Sequence, residues 1–139
     1  MSRQTQRNLS KLAQGQALVE FALLLPFLLL VVMGTLDLGR AVYANTVIAN
    51  AAREGARVGI IATKTDADII NAAKSTAVGL ATTDPPMHIT IVPSPTRSSK
   101  GTVKVTITYT FTPIIPLIGN IFGPTGNLIL QSSATMTVE

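Results

Sequence analysis

The chain has 139 residues, no cysteine, no tryptophan, a single histidine and only 4% aromatic residues. Without cysteine there are no disulfides, thiolate nucleophiles or cysteine metal sites, and cysteine usage cannot report the redox compartment. His88 stands beside a strand pattern with no recognisable nucleophile partner. Catalysis requires a constellation of groups, so His88 reads as a structural or surface residue. Asp66 and Asp68 are close in sequence, but two acids near a helix start more often favour its dipole than bind a metal. Phosphate-binding glycine loops, paired-histidine motifs and serine elbows are also missing from the sequence. The expectation is a non-enzymatic protein without a cofactor.

Charge is scarce as well, at 13% of residues, and the formal net charge is +4. Arg3, Arg7 and Lys11 lie in the first fifteen residues, which hold no acid, whereas beyond Gly15 eight basic residues stand against seven acidic ones. The excess is therefore an N-terminal topology signal. It gives no basic face to a folded domain, so nucleic acid is not an expected partner.

Between Lys11 and Asp37 the only charge is Glu20, at the head of an almost unbroken apolar run from Ala17 to Leu36. That run has the length of one membrane-spanning helix, roughly 20 residues at about 1.5 Å each. Lys and Arg near a span's end hold that end inside, which divides the chain into a basic cytoplasmic leader (1–15), a transmembrane helix (16–36) and an extracytoplasmic head (37–139). A cleaved secretory signal would need a shorter apolar core and a small-residue cleavage site, and Met33-Gly34-Thr35-Leu36-Asp37 offers no convincing one. Pro26, well inside the span, removes one helical amide and predicts a kink or local loosening. Glu20 is the residue to explain, because an acid entering a bilayer is costly and calls for a partner.

Helical spacing continues past the span to about residue 61. Leu38, Ala41, Val42, Asn45, Ile48, Ala49, Ala52, Ala56 and Gly59 recur at intervals of three and four, and predict a small-residue seam opposite a polar face. Arg53 and Arg57 are like-charged and four apart, so the set Arg53, Glu54 and Arg57 is a candidate partner contact. Gly59-Ile60-Ile61 weakens the helix. Thr63 to Asp66 reads as a turn, and Thr65 or Asp66 caps a second helix whose stripe Ile69, Ile70, Ala73, Ala77 and Leu80 runs to about Ala81. The period then changes to two: His88–Val92, Thr102–Phe111 and Leu128–Val138 predict three antiparallel strands. Pro93 to Gly101 is a polar hairpin connection, and the apolar stretch Thr112 to Pro124 suits either contact with a leaflet or partner, or a loop over the sheet's core. The fold class is α+β, with a long N-terminal helix, a short second helix and a small three-stranded antiparallel sheet.

Gly15-Gln16-Ala17-Leu18-Val19-Glu20-Phe21, the span behind it, and Ala51-Ala52-Arg53-Glu54-Gly55-Ala56-Arg57 together resemble the TadE-like pseudopilins of tight-adherence pilus systems. In that family a prepilin peptidase cuts after a glycine, and a glutamate five residues on is followed by an aromatic residue, usually Tyr. Phe21 takes that place here, keeping the ring without the hydroxyl. The resemblance implies a pilin-like fold, a cut between Gly15 and Gln16, and a role for Glu20 and Phe21 in assembly. It also implies a minor pilin-like subunit of the bacterial cytoplasmic membrane, with a main subunit of an extracellular filament as a neighbouring role. The partners it implies are the membrane, the peptidase, and other pilin-like subunits or further copies of the chain. Two readings stand beside it: an unprocessed single-span accessory subunit of a larger membrane complex, and a secreted binding domain cut free of its helix.

Overall fold

The computed structural model describes residues 3–93, 98, 100–115 and 126–139, with side chains from residue 15 onward. In chain order it contains α1 (Arg3–Gly59), α2 (Asp66–Thr76), β1 (Met87–Val92), β2 (Thr102–Phe111) and β3 (Leu128–Thr137). The strands form one antiparallel sheet in the order β1-β2-β3, so the architecture is the α+β arrangement that the change of sequence period predicts. The chain divides into two compact units, Met1–Leu36 and Asp37–Glu139.

The first unit is helix throughout its described residues, and α1 runs unbroken through Pro26. Its large apolar side chains from Leu18 to Leu36 are exposed. A helix that is apolar on every side is stable only where lipid or neighbouring helices take the place of water. Thr35 is no exception to the apolar surface, because its hydroxyl donates to the Val31 carbonyl at 2.9 Å.

In the second unit the rest of α1 and α2 pack on one face of the sheet. The seam of α1 is Ala44, Ile48, Ala51, Ala52, Gly55, Ala56 and Gly59. This corrects the expected stripe: Ile48, Ala52, Ala56 and Gly59 are buried as predicted, but Leu38 is 67% exposed, Val42 60%, and Asn45 is exposed too. A turn or two before that seam Asp37 is buried as well, and its charge disguised it in a pattern read from apolar residues. Small residues matter here because α1 approaches its neighbours closely. A Cβ on Gly59 would lie 3.1 Å from both Ile69 Cδ1 and Val103 Cγ2, so no side chain fits without moving them.

Thr65 caps α2. Its hydroxyl accepts the Asp68 amide at 3.2 Å, and the Asp68 carboxylate accepts the Thr65 amide at 3.0 Å, closing a capping box. The Thr65 amide first, and then the Thr65 hydroxyl at 3.0 Å, hold the Asp68 carboxyl below its ordinary value. The helix ends at Thr76, short of the expected Ala81. Gly79 takes the left-handed conformation (φ +79°), and the Tyr43 hydroxyl donates to the Val78 carbonyl at 3.0 Å. Leu80 belongs to the core stripe as predicted, but reaches it from a turn rather than from a helix.

β2 occupies the predicted residues, with Val103, Val105, Ile107 and Phe111 buried on one face. In register with it, Met87 and Ile91 of β1 complete the same face, and Leu130, Ala134 and Met136 of β3 are half-buried against it. Two expectations fall outside the described residues: most of the β1–β2 connection (94–97 and 99), and the apolar stretch from Pro116 to Pro124.

Candidate assembly surface

The residues that the sequence singles out for processing and assembly all lie on α1. Gly15, Gln16, Glu20 and Phe21 are exposed, and Phe21 lines an apolar groove with Leu24, Leu25, Phe27, Leu28 and Val31. Among the described residues Glu20 has no hydrogen-bonding or ion-pair partner. No packing reason requires glycine at residue 15: a Cβ there would meet nothing within 4 Å. Glycine inside a helix costs about 1 kcal/mol relative to alanine, so this chain keeps an unfavourable residue that its own fold does not need.

The second group divides. Arg57 grips Glu54 through two parallel bonds, Nε to Oε2 at 2.9 Å and a second guanidinium nitrogen to Oε1 at 2.5 Å. The bidentate pair lowers the Glu54 carboxyl below its ordinary value, the hydrogen bonds from Arg57 being the largest cause. Arg53, one residue away, is exposed and makes no ion pair among the described residues. Among the described residues Glu54 therefore pairs with Arg57 and not with Arg53.

Asp37 is the residue the sequence reading undervalued. It is 3% exposed and accepts the amides of Ile114 and Ile115 at 2.8 and 3.1 Å, while Arg40 donates to its other oxygen at 2.6 Å. The Arg40 guanidinium in turn lies 5.1 Å from the centre of the Phe111 ring, which is within cation–π range. One carboxylate thus ties the chain that leaves β2 to the head's first helical turn. The only signal in the sequence was an acid placed immediately after the apolar run.

Burial alone would raise the Asp37 carboxyl, but the amides of Ile115 and Ile114 and the Arg40 guanidinium outweigh it and hold the group below its ordinary value of 3.8. A depressed carboxyl contributes stability that is fully present above the unfolded value and is lost as pH falls through the folded one. The full chain in detergent should therefore lose head stability as pH drops below about 4. Asp37→Asn should flatten part of that acid limb, with Glu54 and Asp68 supplying the remainder. Hydrogen exchange of the β2 amides against pH reads the effect; an unchanged acid limb in Asp37→Asn would contradict it.

His88 is exposed and lies 2.7 Å from the Asp84 carboxylate, and among the described residues no group of three or more His, Asp or Glu is placed to hold a metal ion. Comparison with curated proteins gives no match, and comparison with solved structures gives none. Residues 15–57 do match the family model described as TadE-like protein, so the stretch that carries Gly15, Glu20, Phe21, Arg53, Glu54 and Arg57 is TadE-like.

Proposed function

We propose that the protein is a non-enzymatic, minor pilin-like subunit that helps to assemble a tight-adherence pilus or its secretion apparatus. Residues 16–36 span the bacterial cytoplasmic membrane once, with the basic leader 1–15 in the cytoplasm and the head 37–139 outside. The observation that carries the reading is Glu20: one carboxylate without a partner among the described residues, on a helix otherwise clad in exposed apolar side chains, five residues after a glycine that the described fold does not need, inside a TadE-like segment.

Hydrolysis of the Gly15–Gln16 bond by a prepilin peptidase adds one water, leaving a carboxylate on Gly15 and a new amine on Gln16. The cut removes Arg3, Arg7 and Lys11, the charges that hold the leader at the cytoplasmic surface. The Gln16 amine of one subunit then meets Glu20 of its neighbour, and each offsets the other's desolvation in the bilayer. Apolar helix faces, including the groove beside Phe21, pack around that pair, and Phe21 needs only its ring for this.

The test is the intact mass of the protein purified from its native membrane, with fragmentation to read its first residue. A start at Gln16 is expected. A start at Met1 in the functional complex would replace this reading with that of an unprocessed accessory subunit, in which Glu20 pairs with a basic residue of another chain.

A further inference from the structure

The two edges of the sheet are not equally protected. β1 is six residues long, lies between Pro86 and Pro93, and presents His88, all features that discourage a further strand. β3 is ten residues long, pairs with β2 without a bulge, and contains neither a charge nor a proline. Nothing in its sequence guards its outer edge.

The direction of its free groups follows from its last bonds. In an antiparallel ladder a residue turns its N–H and C=O to the same side, and successive residues alternate. Val138 donates to the Gly101 carbonyl at 2.8 Å, on the β2 side, while Glu139 donates the other way, to the Ile60 carbonyl at 2.9 Å. Ile129, Gln131, Ser133, Thr135 and Thr137 share the parity of Glu139, so their backbone groups point away from β2. Among the described residues, no turn, loop or cap bond reaches these five. The core face is unfinished at the same edge, since Leu130, Ala134 and Met136 remain half-buried where Val103, Val105 and Ile107 beside them are fully buried.

We propose that β3 pairs antiparallel with β3 of a second copy of this chain, joining two three-stranded sheets into one. The occupant is argued from β3 itself, which has the pattern an added strand needs: apolar residues toward the core face, uncharged residues outside, and a row of backbone groups along one side that have no partner among the described residues. A two-fold axis at Ser133 uses all five outward residues. Ser133 then faces Ser133, Gln131 faces Thr135 and Ile129 faces Thr137 on the outer face, while Leu130 meets Met136 and extends the core. No like charges meet, and the self-complementary patch closes as a dimer. The pairing requires neither processing nor Glu20, so it stands apart from the reading above.

Because the chain has no cysteine, introduced thiols test it cleanly in the full-length protein in membranes. Directly opposed hydrogen-bonded residues have Cα atoms about 5.5 Å apart, within the disulfide range of roughly 4.4–6.8 Å. Under mild oxidation Ser133→Cys should give a disulfide-linked dimer roughly tenfold more readily than Lys104→Cys, a random-collision control on the same face of the central strand. Gln131→Cys and Thr135→Cys copies should cross-link when mixed and not separately. Ser133→Pro added to that mixture should abolish the cross-link while β2 amides stay protected, since the lost N–H points outward. Equal cross-linking of Ser133→Cys and Lys104→Cys, or none from a reactive Ser133→Cys, overturns the proposal. Repeating Ser133→Cys with Glu20→Gln separates the two ideas: strand pairing predicts an undiminished dimer even where helix assembly fails, and loss of the dimer there overturns it.

Discussion

Ile69→Ala is expected to loosen the head more than any other single core truncation. Ile69 is completely buried, on the first turn of α2 that faces the core, and its side chain lies over the two glycines of α1. A Cβ built on Gly55 would stand 3.5 Å from Ile69 Cγ2, and one on Gly59 would stand 3.1 Å from Ile69 Cδ1. The branched side chain thus fills the space that the two glycines leave open, between α1 and Val103 of β2. Removing it exposes a notch that no neighbouring side chain on α1 can fill, because glycine has none to move. Truncations of this kind cost 2–5 kcal/mol depending on how far the site collapses. A value of about 3 kcal/mol for Ile69→Ala raises the open population of the head roughly a hundredfold. Hydrogen exchange of the Val103, Val105 and Ile107 amides, measured on the full chain in detergent, reads that change directly. Protection like that of the unaltered chain would mean that α2 is not the lid of this core. The same exchange experiment contains its own control, because amides of the apolar part of α1 lie in the other compact unit and should not respond.

The sequence made the strands legible for a physical reason: β2 keeps strict alternation over ten residues, and only one face of an antiparallel sheet is buried. It misled where apolar residues served a purpose other than the core. Leu38 and Val42 match the helical period but lie on the exposed side of α1, while Asp37 and the alanines Ala44 and Ala51 occupy the buried side. A hydropathy pattern cannot tell a buried carboxylate that accepts two amides from a solvated one. The end of α2 was hidden similarly: Leu80 prolongs the apolar stripe, but the glycine before it sets the backbone. A glycine just past a periodic stretch is a usual stop signal, and it outranked the stripe. For the candidate assembly surface, scarcity of charge isolated Glu20, while Gly15 stood out only through the TadE-like resemblance. The sequence did not separate Arg53 from Arg57, since only the three-dimensional arrangement shows which of the two Glu54 neutralises.

Glu20→Gln is expected to insert normally and to fail in assembly. Gln is nearly isosteric with Glu and carries no charge, so the substitution lowers the cost of placing residue 20 in the bilayer and leaves the span itself unaltered. Processing should continue as well, giving a chain that begins at Gln16. What changes is the environment of the new amine. On the proposed mechanism the amine and the Glu20 carboxylate enter the apolar interface as a pair, and in Glu20→Gln the amine enters alone. Breaking a buried pair by removing one partner costs about 3–5 kcal/mol, most of it the desolvation of the charge left behind. Each subunit contact should then weaken by at least roughly a hundredfold, far more than loss of one ordinary hydrogen bond would give. The measurement is the share of processed chain recovered in assembled complexes, set against the share remaining in the membrane as single subunits. Two companions locate the effect. Glu20→Asp keeps the charge on a shorter arm and should assemble partially, whereas Phe21→Tyr keeps the ring and should assemble fully. Raising the pH removes the proton from the stranded amine, so assembly of Glu20→Gln should recover in alkaline medium. Full assembly of processed Glu20→Gln at neutral pH would eliminate charge pairing as the mechanism and leave apolar helix packing to hold the subunits together.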